Sequence, residues 1–146
     1  MKFIFNMQNI LNIKAKLEEQ AKMDFGHARM LLDEQEAKLK ALYDRKEEYE
    51  EEGRRLRDDK LHIQDIMDNK NAIMTIDSYI DLQKLEVKKA EDNLERARIK
   101  LNEAIKQRKT YERLREKAYE EYIREENAAE AKEVDEMISY KHTVMK

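Results

Sequence analysis

The side chains with the most chemical potential in this chain are three histidines and one dense patch of Asp and Asn. His27, His62 and His142 stand far apart, and none has a second His or Cys three or four residues away to place two ligands on one helical face. They are read as surface residues. Asp65, Asp68, Asn69 and Asn71 approximate the start of a calcium loop, but the central Gly is missing and the twelfth residue from Asp68 is Tyr79 where a bidentate Glu is needed. That site is rejected, and no metal or cofactor is expected. With Cys 0, thiol catalysis, thiolate metal sites and disulfides fall together. No Gly-rich loop is present to cradle a phosphate. The remaining carboxylates lie on helix faces open to water, where nothing tunes them for acid–base work. The expectation is a protein without catalytic residues.

The elements that carry these residues explain why no site forms. Ile80, Val87, Leu94 and Leu101 recur every seven residues, with Ala90, Ala97 and Ala104 interleaved, as the a and d positions of a coiled coil do. A second stripe precedes it through Phe25, Ala28, Leu32, Gln35, Leu39, Leu42, Tyr49, Leu56, Ile63 and Met67. Pro 0 and Gly 2 leave no material for a loop-rich domain, and a 43% charged composition is too polar for a globular core. Disorder is the competing reading, but a disordered segment has no reason to keep its apolar residues on one helical face. The fold expected is all-α: a single elongated antiparallel two-helix coiled-coil hairpin over residues 1–146. Helix one is placed at about 4–69, the turn at about 70–76 in the polar run Asp68–Thr75, and helix two at about 77–140, with Thr75 or Ser78 as its cap.

A turn there makes facing residues add to about 147. That register sets Glu47, Glu48, Glu50, Glu51 and Glu52 beside Arg96, Arg98 and Lys100, and Arg54, Arg55 and Arg57 beside Glu91 and Asp92. Lys46, Lys60, Arg108 and Arg115 then sit in the seam where Leu or Ile is normal, read as stems that snorkel outward, the other reading being that a partner completes the packing there, and Gly53 weakens the helix beside them. At the ends, Phe3, Phe5, Met7, Ile10, Leu11, Ile13 and Leu17 give more apolar surface than one helix can hide, with Val134, Met137 and Ile138 opposite them. Half of that surface is assigned to mutual burial of the ends. The rest points to insertion into another protein.

A net charge of -3, from 30 basic and 33 acidic residues mixed along the chain, offers no basic face for nucleic acid or anionic lipid. The apolar start is cut by Asn6, Gln8, Asn9 and Asn12, so it is neither a signal segment nor a membrane span. A cytoplasmic protein without direct membrane insertion is expected.

The ends also carry a family resemblance. Phe3-x-Phe5-x-Met7-Gln8-x-x-Leu11-x-Ile13-Lys14-x-x-x-Glu18-x-x-Ala21-Lys22 resembles the opening of FliJ, the stalk protein family of the flagellar, type III, export apparatus. Lys117-x-Tyr119 followed by Glu126, Glu130, Lys132 and Asp135-Glu136 is similar to that family's ending, and Tyr79-Ile80 to its second-helix entry. The resemblance implies a non-enzymatic coiled-coil stalk for flagellum biogenesis and motility. Its termini would insert into the ring of the export ATPase FliI and promote ring assembly and activity. It would link the ring to the cytoplasmic domain of the export gate FlhA and to export chaperones, so that it sits at the cytoplasmic face of the membrane. Phe3, Phe5, Leu11, Ile13, Val134, Met137 and Ile138 are the candidate ring contacts. Leu42, Tyr49 and Tyr79 match the family's gate-contact positions, while Lys38, Arg45, Gln83, Glu86 and Ala90 depart from its pattern nearby. The alternatives are a passive coiled-coil spacer, to which composition and heptads are equally suited, and a chaperone-escort protein.

Overall fold

The computed structural model describes residues 2–58 and 62–144. Its two helices are α1, Gln8–Asp58, and α2, Ile63–Val144, and no described residue is in a strand. The all-α reading therefore holds, but the boundaries move. The region expected as the turn, 70–76, lies inside α2, and α1 stops eleven residues before 69. The polar run that suggested a break is satisfied within the helical structure. Thr75 Oγ1 and Ser78 Oγ donate to the carbonyls of Asn71 and Met74, one turn back, so neither caps a helix. Asn69 turns inward and donates its amide to the Tyr49 carbonyl at 2.8 Å.

The chain divides into two compact units, Ala21–Leu101 and Met1–Gln20 with Asn102–Lys146, where the sequence reading has one. In the first of these, α1 and α2 run antiparallel. Gln83 Nε2 donates to both the carbonyl and the side-chain oxygen of Gln35, Lys46 pairs with Asp77 at 2.7 Å, and Gly53 faces Asn69. Facing residues here add to about 122, not 147. Seam positions recur every 3.5 residues, so a pairing slid along the seam by multiples of that spacing still sets apolar against apolar. The heptads alone could not tell the two registers apart. The expected charge matching fails accordingly: Arg98 bonds Glu95 on its own helix at 2.6 Å, and Lys46 takes its partner at residue 77.

The core of this unit is Ala28, Ile76, Ile80, Val87 and Ala90, with Asn69 as its buried polar member. Gly53 has a specific role beside it. A Cβ on Gly53 would lie 2.5 Å from Asn69 Oδ1, so the missing side chain makes the room that lets the Asn69 amide reach Tyr49. A residue read as a weak point is thus a packing requirement.

In the other unit the same antiparallel pairing joins Phe3 to Tyr119, Gln8 to Arg115 and Lys14 to Gln107. Phe5 and Leu11 are buried, at 9% and 8% exposure, and Glu18 is buried with them at 6%. Arg108 reaches Glu18 through Nε at 2.6 Å and through Nη2 at 3.1 Å, while its Nη1 bonds Glu112. Those bonds, Glu18 first, hold the guanidinium above its ordinary range. Arg108 is therefore paired inside the seam and does not snorkel; Lys60 lies outside the described residues. Because Phe3 meets residue 119, Val134, Met137 and Ile138 do not face the N-terminal residues as expected. Every described residue from Ile123 onward is exposed.

Candidate interaction surfaces

Among the described residues, the histidines and the Asp–Asn patch singled out by sequence are not gathered into one site. His27, His62 and His142 are each exposed, and no group of three or more metal-ligating side chains occurs among the described residues. Asp65, Asp68 and Asn69 are helical, with Asp68 accepting from Gln64 Nε2 and Asn69 committed to Tyr49. Two surfaces remain, one in each unit.

The unit holding both chain ends separates its apolar residues into an inner and an outer set. Phe3 stacks edge-on against Tyr119, with ring centres 5.3 Å apart, and leans on Tyr122 at 5.5 Å. The Arg115 guanidinium lies 5.5 Å from the same Phe3 ring while its Nε donates to Gln8 Oε1. With Phe5 and Leu11, these contacts close the N-terminal end onto α2. Ile10, Ile13 and Leu17 repeat at spacings of three and four residues and remain exposed. So do Val134, Met137, Ile138, Tyr140 and Val144 on α2. Of the seven candidate ring contacts, Phe5 and Leu11 are thus core residues, Phe3 is half-buried in an aromatic cluster, and Ile13, Val134, Met137 and Ile138 face solvent. Tyr119 and Tyr122 were not foreseen as the partners of Phe3, because the register that brings them together was not legible.

In the unit spanning Ala21–Leu101, Leu42 and Tyr79 come together in an open groove of about 720 Å³. Lys38, Arg45 and Lys89 supply its basic rim, Glu86 its acidic member, and Leu82 and Leu85 its exposed apolar wall. The four departures from the family pattern at Lys38, Arg45, Gln83 and Glu86 all line this groove, whereas Ala90 lines a neighbouring one with Ala28 and Leu31. Tyr49 does not join Leu42 and Tyr79. It lines a separate cleft of about 390 Å³ with Leu56, Asp65, Asp68 and Asn69. Leu82 and Leu85 were missed because neither falls on the heptad stripe; their exposure is what reveals them.

No described helix is long and apolar enough to cross a membrane. A family model described as flagellar FliJ protein matches residues 2–144. No curated protein matches the chain. Among solved structures, that of a putative YscO homolog, CT670, from Chlamydia trachomatis superposes with a TM-score of 0.61 at 22% identity, covering 99% of this chain and 98% of that one. That likeness establishes a shared two-helix fold.

Proposed function

The chain belongs to the FliJ family, and from that premise we propose that it is a non-enzymatic component of the flagellar export apparatus that engages the export ATPase ring through the unit holding both chain ends. The observation that carries this reading is the outward apolar set of that unit. Ile10, Ile13 and Leu17 on α1, with Val134, Met137 and Ile138 on α2, are exposed although the same unit buries Phe5, Leu11 and Glu18. Apolar helix faces of this kind insert into grooves of other proteins. A passive spacer needs no such surface.

A contact of this kind acts without chemistry of its own. If the chain binds assembled ring better than free ATPase subunits, mass action draws subunits into the ring by RT ln(1 + [L]/Kd), about 2.7 kcal/mol at a hundredfold excess over Kd. A two-helix insert also cannot meet every subunit of a symmetric ring identically, so it stabilises one subunit conformation over the others and biases which turns over. In the same reading, the groove around Leu42 and Tyr79 meets the export gate FlhA, with Tyr49 outside that contact surface. Export chaperones are further partners, and the chain works in the cytoplasm, peripheral to the membrane through the apparatus.

The test is the ATPase rate of the matching export ATPase as this protein is titrated in. Stimulation should saturate, and it should be lost in the Ile13→Asp, Met137→Asp, Ile138→Asp variant, whose substituted positions all face solvent. Phe5 and Leu11 are unsuitable probes because an Asp at either would unfold the N-terminal end. Absence of binding and of stimulation by the native chain would leave the spacer reading standing.

A further inference from the structure

Two apolar stripes of the same unit are matched to each other but cannot meet within one chain. Val134, Met137 and Ile138 lie on the stretch of α2 where nothing among the described residues packs on the helix. Ile10, Ile13 and Leu17 lie on the outer face of α1 beside the seam. Both advance by three and four residues, and each fits the other as one helix fits a neighbour. Ile13 stands level with about residue 109, which is about 40 Å along α2 from Ile138 at 1.5 Å per residue.

Their charges are opposite. Residues 124–144 hold six acidic side chains, Glu125, Glu126, Glu130, Glu133, Asp135 and Glu136, against three basic ones, a net of -3. Glu133 and Glu136, with Lys141 as the single basic neighbour, border Met137 and Tyr140 in a shallow apolar surface. Residues 8–18 and 106–117, which form the paired part of the unit, hold eight basic side chains against Glu18, Glu112 and Glu116, a net of +5. Two acidic tails would repel one another. A tail against the paired part attracts.

We propose that a second copy of this chain covers the unpartnered tail, through a two-fold dimer in which the 124–144 helix of each copy lies on the Ile10, Ile13 and Leu17 face of the other. The symmetry closes. Setting Ile138 of one copy beside Ile13 of the other puts the axis near residue 123, so both tails, each about 30 Å long, dock at once on the paired helices of the opposite copy. Each half becomes a three-helix bundle with no apolar stripe left outside, the isologous arrangement that a closed dimer requires. The ring reading presents these same stripes to the ATPase. On that reading the dimer is a closed store, and its dissociation sets how much chain is competent to bind; this consequence rests on that reading, whereas the dimer itself does not.

The test uses the full chain alone, so its outcome is independent of any ATPase. Light scattering across a concentration series should show a mass rising from 17.6 kDa toward twice that value. Dissociation should become easier as salt rises. Ile13→Glu and Ile138→Glu should each weaken the dimer about tenfold or more, with helicity unchanged because both positions are exposed. The absence of cysteine makes the geometry directly readable. Under oxidation, Ile13→Cys chains mixed with Ile138→Cys chains should crosslink, while Ile13→Cys chains alone should not. A native chain that stays at 17.6 kDa at every concentration, or Ile13→Cys chains that crosslink among themselves as fast as in the mixture, would overturn the proposal.

Discussion

Two stretches of α2 carry apolar residues at helical spacing and meet opposite fates. Between residues 69 and 90, Ile76, Ile80, Val87 and Ala90 are buried against α1, with Asn69 completing the row. Between 134 and 144, Val134, Met137, Ile138, Tyr140 and Val144 are all exposed, Ile138 at 60% and Tyr140 at 71%. The second stretch is no less apolar than the first. What differs is the presence of a facing helix: Phe3 lies beside Tyr119, and among the described residues nothing packs on the tail beyond it. A stripe buried within the chain holds the fold together, whereas an equal stripe left uncovered is available for another molecule.

The sharpest way to break that comparison is a charge in each stripe. Ile80→Asp places a carboxylate at a position only 4% exposed and should cost about 3 kcal/mol or more, read as a large fall in the urea midpoint. At a concentration where the chain is monomeric, Ile138→Asp should leave that midpoint within about 0.5 kcal/mol of native. Equal losses would mean that the tail is packed and the contrast is wrong.

The next effect concerns how each unit fixes its pairing. Glu18→Ala removes the buried partner of Arg108 and strands part of the guanidinium in the seam. The thermal midpoint should fall by several degrees, more than for Glu95→Ala, whose ion pair with Arg98 lies exposed on one helix. Gly53→Ala comes third. Ala favours a helix by roughly 1 kcal/mol over Gly, yet here its Cβ would force the Asn69 amide away from Tyr49. The expected net loss is about 1 kcal/mol, and in an Asn69→Ala background the same substitution should stabilise instead. A smaller effect comes with pH. The hydrogen bond to Asp77 raises the Lys46 ammonium above its ordinary 10.5. A raised folded value means that its contribution is complete below pH 10.5 and fades as pH climbs through the higher folded value. The difference in midpoint between native chain and Asp77→Asn should therefore be full at pH 9, shrink above 10.5 and be gone once pH has passed the folded value.

Residue by residue, the helices were legible and their alignment was not. Ile80 and Val87 announced a buried stripe through their spacing alone, and both are core. The turn was misplaced because Asp68, Asn69, Asn71, Thr75 and Ser78 read as breakers, although a helix can absorb such residues by bonding them to the preceding turn or across the seam. That error propagated to the candidate site. It paired Val134, Met137 and Ile138 with the N-terminal residues and hid Tyr119 and Tyr122, whereas the excess of apolar side chains at the ends was visible without any register. Ile13 and Ile138 remain candidates on exposure, while Phe5 and Leu11 belong to the fold.

The most direct measurement is amide hydrogen exchange of the native chain, at a concentration where it is monomeric, with and without the assembled export ATPase. Slowed exchange in residues 123–144 and around Ile10–Leu17 on adding the ring, with 69–90 already protected and unchanged, is the predicted result. Binding that leaves 123–144 exchanging as fast as in the free chain would contradict the claim that the uncovered stripe is the working surface.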